Sequence, residues 1–286
     1  MKIGVVFPQL EFGNDTALIK DYTQTAEGLG YEYLAVYDHV LGANPDRPGG
    51  WTGPYTYQTA FHEIFMLFAY MAALTERIEF ATRIVILPQR QTALVAKQAA
   101  ELDVLSSGRL RLGIGIGWNA VEYEALNEQF TNRGKRVEEQ VAVMRQLWTQ
   151  PLVTFQGQYH SIPDAGLNPM PIQRPIPIWF GGGADAVMRR MARIGDGWMP
   201  NFGSVEKAAP KWEMLQGYIR EAGRDPQAFG FDNIITLRDY PQSQWAGVVQ
   251  QWRDFGATHL CVNTMGVGYD ARQHLAAIKT FKSVVG

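Results

Sequence analysis

Two neighbouring residues, Asp38 and His39, offer acid–base chemistry near neutral pH. Histidine titrates there and can give or take a proton as general acid or base. Asp38 could orient the imidazole. Successive residues on a strand point to opposite faces, however, so the two can have different tasks. A histidine at a strand end can equally be a structural hydrogen-bonding residue. The second chemical signal is Gly108–Asn119, Gly-Arg-Leu-Arg-Leu-Gly-Ile-Gly-Ile-Gly-Trp-Asn. Gly113, Gly115 and Gly117 fall at alternate positions, so one face of a pleated strand carries no side chains. Such glycines mark close approach by a ligand or another backbone. A glycine-rich barrel strand without a ligand is the alternative. The stretch ends in Trp118, a core aromatic or a ring-stacking wall, and in Asn119. Gly115–Ala120 also fits the dinucleotide pattern G-x-G-x-x-A. That reading needs a following strand ending in an acid. Thr131–Trp148 is helical in pattern, so it fails.

Gly181-Gly182-Gly183 before a helix is a phosphate-cradle candidate. Glycines admit the ligand, and the helix N-terminus offers free N–H groups and partial positive charge. The competing reading is a plain turn with Asp185 capping the helix. The segment Gly42–Tyr57 is rich in Gly, Pro, Trp and Tyr without periodicity. Its Trp51, Tyr55 and Tyr57 could stack on an aromatic ligand or form a lid, or decorate the surface. His62-Glu63 begins like a zinc motif, but Met66 stands where the second histidine is required. The other histidines are scattered and Cys261 stands alone, so no metal site is expected. G-x-S-x-G and the P-loop pattern are absent, which removes support for hydrolase and P-loop chemistry.

The elements that must position these residues alternate. Strands are expected at Ile3–Phe7, Tyr33–Tyr37, Ile78–Leu87, Gly108–Gly117, Ile176–Phe180, Gly197–Met199, Gly230–Leu237 and His259–Asn263. Helices are expected at Thr16–Leu29, Glu63–Leu74, Thr92–Leu105, Arg133–Trp148, Ala184–Ile194, Val205–Ala222, Trp245–Phe255 and Ala271–Val284. Val95, Ala99, Leu102 and Leu105 share one helical stripe, as do Val137, Val141, Met144 and Leu147. Leu152–Ile162 reads as a small hairpin turning at Gln156-Gly157, and Pro163–Pro177 as a connection. Eight βα units without a composition break predict one (β/α)8 TIM barrel over residues 1–286, with a helix and small hairpin inserted after strand four. An open doubly wound sheet is the alternative. In a barrel the active site lies at the C-terminal strand ends. That rule selects Asp38 and His39, Thr82–Ile86, Gly115–Asn119, Gly181–Gly183 and Asn201.

The 286 residues suffice for a large core. A formal charge of −2 argues against a basic nucleic-acid surface. One cysteine excludes an internal disulfide and suits a reducing compartment. No apolar run approaches the length of a membrane span, and the N-terminal apolar run is too short for a signal peptide. A cytoplasmic location is the expectation.

Several stretches occur together: Tyr37-Asp38-His39, Phe61-His62-Glu63, Ala81–Pro88, Ala96–Asp103, Ser107–Trp118, Arg133–Glu139, Ile178–Gly183 and Gly195–Pro200. As a set they resemble the bacterial luciferase-like flavin monooxygenase superfamily, and more closely its coenzyme F420-dependent oxidoreductase branch. The last ~80 residues match only in their βα pattern. The resemblance implies a barrel binding a flavin-like ring at the strand C-termini. It places Asp38 and His39 in the cofactor and substrate pocket, His39 as proton partner, with His62 and the aromatic loop beside the substrate. It implies a non-prolyl cis peptide at Arg83-Ile84 behind the ring, with Thr82 alongside. Arg83 must then leave the pocket or reach the cofactor tail. Gly115 and Gly117 would clear space for the cofactor, Trp118 and Asn119 would form its rim, and Gly181–Gly183 would hold its phosphate. The implied reaction is hydride transfer between F420 and a small organic substrate. FMN with molecular oxygen, fed by a separate cofactor reductase, is the alternative, and a flavin-binding barrel without turnover is the other. A homodimer is implied as well.

Overall fold

The computed structural model describes residues 1–286. Its first strand, β1 (Lys2–Val6), is buried from Ile3 on, and β2 (Tyr33–Val36) is buried throughout. Such apolar runs suit parallel strands covered on both faces. The other barrel strands are β3 (Glu79–Thr82) with its continuation β4 (Val85–Ile86), β5 (Leu110–Gly115), β8 (Ile178–Gly181), β9 (Gly197–Met199), β10 (Gly230–Thr236) and β11 (His259–Asn263). The pairing order is β3-β2-β1-β11-β10-β9-β8-β5, and β3 pairs with β5 to close the ring. Every ladder in it is parallel. This is the (β/α)8 TIM barrel expected from the sequence.

The helices are α1 (Gln9–Phe12), α2 (Thr16–Gly28), α3 (Ile64–Ala73), α4 (Thr92–Leu105), α5 (Ala120–Ala125), α6 (Arg133–Thr149), α7 (Asp185–Ile194), α8 (Val205–Glu221), α9 (Trp245–Asp254) and α10 (Ala271–Val285). The stripe on α6 is buried as its spacing requires. On α4, Val95, Ala99 and Leu102 are buried, but Leu105, the last residue of the helix, is exposed. No helix is long and apolar enough to cross a membrane. The insertion after β5 holds α5 and α6 and the antiparallel hairpin β6 (Val153–Gln156) and β7 (Ser161–Ala165). The hairpin runs past Ile162 through Pro163. Both strands of a two-stranded ribbon are edges, where proline costs no ladder bond it must donate. The segment after β2 is ordered: Ala43 bridges Thr56, and the Tyr57 N–H donates to the Ala43 carbonyl at 3.1 Å.

Strand three breaks where the site lies. Ala81 pairs with Arg111 and Val85 with Ile114. Four steps on one strand thus match three on the other, leaving one extra residue. The bulge holds the cis peptide Arg83-Ile84 expected there. Gly113 permits the fit. A Cβ on it would overlap the Thr82 carbonyl oxygen and stand 2.6 Å from Met199 Sδ. Gly113→Ala is therefore expected to cost about 1–3 kcal/mol by overpacking. A chemical-denaturation curve with an unchanged midpoint would refute that reading.

Candidate active site

The C-terminal end of the barrel carries an open cavity of about 540 Å³. Its wall includes Asp38 and His39 after β2, Arg83, Ile84 and Ile86 from the bulge, and Gly117 and Trp118 after β5. Gly181 and Gly182, Met199–Asn201, Ile234, Asn263, Met265 and Gly266 complete it with Leu10, Tyr37 and Tyr55.

His39 stands at this wall with its side chain only 10% exposed. Its Nδ1 lies 3.0 Å from Glu122 Oε2. Glu122 sits on the first turn of α5, its side chain wholly buried. Its other oxygen accepts the Val40 and Leu41 N–H groups at 2.6 and 3.2 Å. A carboxylate only accepts, so against it a neutral imidazole carries its proton on Nδ1 and keeps Nε2 as the acceptor. Tyr55, Phe61 and Trp118 surround the ring at centroid distances of 5.0, 4.8 and 5.7 Å. Glu122 was not foreseen. The signal was present: Asn119 with Glu122 three residues on is a helix-start pattern, and Asn119 accepts the Val121 N–H at the α5 N-terminus.

Asp38 faces away from His39. It accepts Arg90 Nη2 at 2.7 Å and the Ile86 N–H at 3.0 Å. Burial, outweighing the Arg90 guanidinium, pushes its carboxyl above the usual range. Asp38 thus ties down the far side of the bulge, while the ring of His39 is oriented by Glu122. Arg90 also reaches Glu63, which caps α3.

The glycines act through protein atoms. A Cβ on Gly115 would strike Ile84, and one on Gly117 would stand 2.6 Å from Ile86. The space they leave is filled by the bulge side chains, so Ile84 forms a ledge over Gly115 and Gly181. Gly115 thus makes room for Ile84 and does not line the cavity, whereas Gly117 does. Thr82 is buried and donates to the Gly113 carbonyl at 2.7 Å, away from the cavity. Asn119 is 3% exposed and serves as the α5 cap. Tyr57 is exposed, and His62 bonds Gly13 and packs on Phe7. Trp51 packs against Trp118 with the rings tilted by 33° and their centroids 5.7 Å apart. None of these five lines the cavity.

Arg83 neither leaves the pocket nor extends along it. It crosses the barrel, donating from Nη2 to the Pro200 and Asp232 carbonyls at 2.7 and 3.1 Å. Its Nη1 lies 3.2 Å from Asp232 Oδ1. Arg111 meets the other Asp232 oxygen at 2.8 Å, held between the Tyr33 and Trp179 rings. Burial would raise the Asp232 carboxyl, but the charges of Arg83 and Arg111 win and hold it below the usual range.

At the other side, no side chain caps α7; Asp185 turns instead to Tyr218 and Arg189. A Cβ on Gly183 would meet nothing nearer than Trp198 at 3.9 Å, so the turn before α7 is open. Three or more His, Cys, Asp or Glu side chains grouped to hold a metal occur nowhere.

Comparison with known proteins gives a consistent picture. Residues 1–280 match the family model described as luciferase-like monooxygenase. An uncharacterized protein of Mycobacterium tuberculosis is 34% identical over 224 residues, 76% of this chain and 77% of its own. An F420-dependent glucose-6-phosphate dehydrogenase of Segniliparus rotundus is 31% identical over 244 residues, covering 79% and 65%. Among solved structures, the monooxygenase RslO1 of Streptomyces bottropensis superposes with a TM-score of 0.81 at 17% identity, covering 100% and 98%. An F420-dependent secondary alcohol dehydrogenase does so with 0.77 at 19%, covering 100% and 99%. An eight-stranded barrel with its cavity at the C-terminal strand ends, matched over nearly its whole length, makes this chain an enzyme of the luciferase-like monooxygenase family.

Proposed function

We propose that this enzyme transfers a hydride between coenzyme F420 and a small organic substrate, with His39 as the proton partner. The observation that carries the proposal is His39 at the cavity wall, its Nδ1 held by buried Glu122 and its Nε2 left as acceptor. The 31% identity to an F420-dependent dehydrogenase supports the choice of cofactor. The residues present fit such a group. The Ile84 ledge offers an apolar backing, and the open Gly181–Gly183 turn leads to an uncapped helix end suited to a phosphate. When bound, the cofactor supplies the hydride chemistry, and the protein supplies orientation and exclusion of water. His39 Nε2 takes a proton from a substrate hydroxyl, or His39 returns one to a carbonyl oxygen. Tyr55, Phe61 and Trp118 shield the ring from bulk water. In this reading the enzyme works in the cytoplasm as a homodimer. The family's monooxygenase members favour a second reading, FMN with molecular oxygen and a separate reductase.

Titration with F420 and with FMN, oxidised and reduced, separates the two. The expected result is tight binding of F420, a visible absorbance change and no oxygen uptake. Tight binding of FMN alone with oxygen consumption would favour the second reading. Tight binding of neither would sink both.

A further inference from the structure

The cavity has a fixed polar group across from His39. His39 follows β2, and Asn201 follows β9. In the closed ring β1, β11 and β10 separate these strands on one side, and β3, β5 and β8 on the other. The two residues therefore stand on opposite walls of the cavity that both line. Asn201 is exposed, and its carboxamide has no partner within the protein. The backbone around it is held firmly. The Pro200 carbonyl accepts Arg83 Nη2 at 2.7 Å. The Phe202 N–H donates to Asn233 Oδ1 at 2.9 Å, and the Phe202 carbonyl accepts Asn233 Nδ2 at 3.0 Å. Arg83 and Asn233 are both buried, and the Phe202 ring packs edge-on against buried Trp198. Asn201 is thus tied from inside the barrel on either side, and the proline ring fixes φ just before it. Such support lowers the ordering cost of binding. The lining also selects by charge. Arg83 is paired with Asp232 and Asp38 with Arg90. Leu10, Met199, Ile234 and Met265 add apolar surface. A charged group buried against them would lack a partner. A carboxamide offers both donor and acceptor, the complement of a hydroxyl or a carbonyl.

We propose that Asn201 is a substrate-binding residue that selects neutral molecules carrying a second oxygen function, held across the cavity from the one at His39. The inference rests on the proposed function for that first oxygen, but its test reads binding without turnover.

Ligand-detected NMR titrations, with and without F420, compare straight-chain α,ω-diols from butanediol to octanediol with the alkanols of equal length. In wild type one chain length should favour the diol over its alkanol about three- to tenfold, the worth of a neutral hydrogen bond. Asn201→Leu is close in volume and lies at an exposed position, so thermal melting should be unchanged. It should abolish the diol preference and keep the alkanol affinity. A preference that survives in Asn201→Leu overturns the proposal, as does a wild type with no preference at any length. A loss confined to F420 affinity also overturns it, by giving Asn201 to the cofactor. Diol discrimination by a protein that binds no F420 would keep the subsite while overturning the cofactor reading.

Discussion

His39→Ala is expected to lower kcat by about 10²- to 10⁴-fold, the range for removing a general acid or base, with cofactor affinity largely kept. The cavity wall around His39 comes from several strand ends, so truncating one ring leaves most of it standing. Glu122→Gln should act through the same ring. An amide can donate as well as accept, so it no longer forces the proton onto Nδ1. The expected outcome is a fall in kcat with KM little changed. The new amide oxygen stays with the Val40 and Leu41 N–H groups, so its NH2 faces Nδ1 and the neutral ring is expected as Nε2–H in the nitrogen NMR spectrum of His39. Wild-type turnover in His39→Ala refutes the proton role. A pure Nδ1–H signal in Glu122→Gln refutes the positioning role.

The largest effect on stability is expected at Asp232. Asp232→Ala strands Arg83 and Arg111 in the barrel without a counter-charge, and breaking a buried ion cluster in this way costs about 3–5 kcal/mol. Denaturant unfolding should show the loss directly. The pH dependence has a defined sign. The folded carboxyl lies below its usual value, so its contribution is present above the unfolded carboxylate pKa and is lost as pH falls through the folded one. Wild type should therefore lose stability on acidification, and Asp232→Ala should lose less of what remains. A variant as stable as wild type at neutral pH would mean that the cluster contributes nothing net.

The barrel was legible because its signals are local. Buried strands read as apolar runs, helices as stripes, and the bulge followed from the resemblance around Ala81–Pro88. The site was legible only in part. His39 and the glycine turn could be placed from strand ends alone. Glu122 was missed because a six-residue helix has too little periodicity to stand out, although its cap pattern was present. The pairing of Arg83 with Asp232 leaves no trace in spacing. The filling of the glycine face by Ile84 depended on which strand came to lie beside it.

The arginine pair also bears on how the chain reaches its final form. Arg83 and Asp232 are 149 residues apart, and Arg111 and Asp232 are 121 apart. Contacts of such separation are slow to form, because the entropy of closing the intervening loop is lost before the contact repays it. During synthesis β3 and β5 are made long before β10, so a nascent chain ending before residue 230 carries both cations with no acid to meet them. Neutralising the pair therefore waits for the seventh strand to dock, and the finished cluster registers that β10 has taken its place opposite β3 and β5.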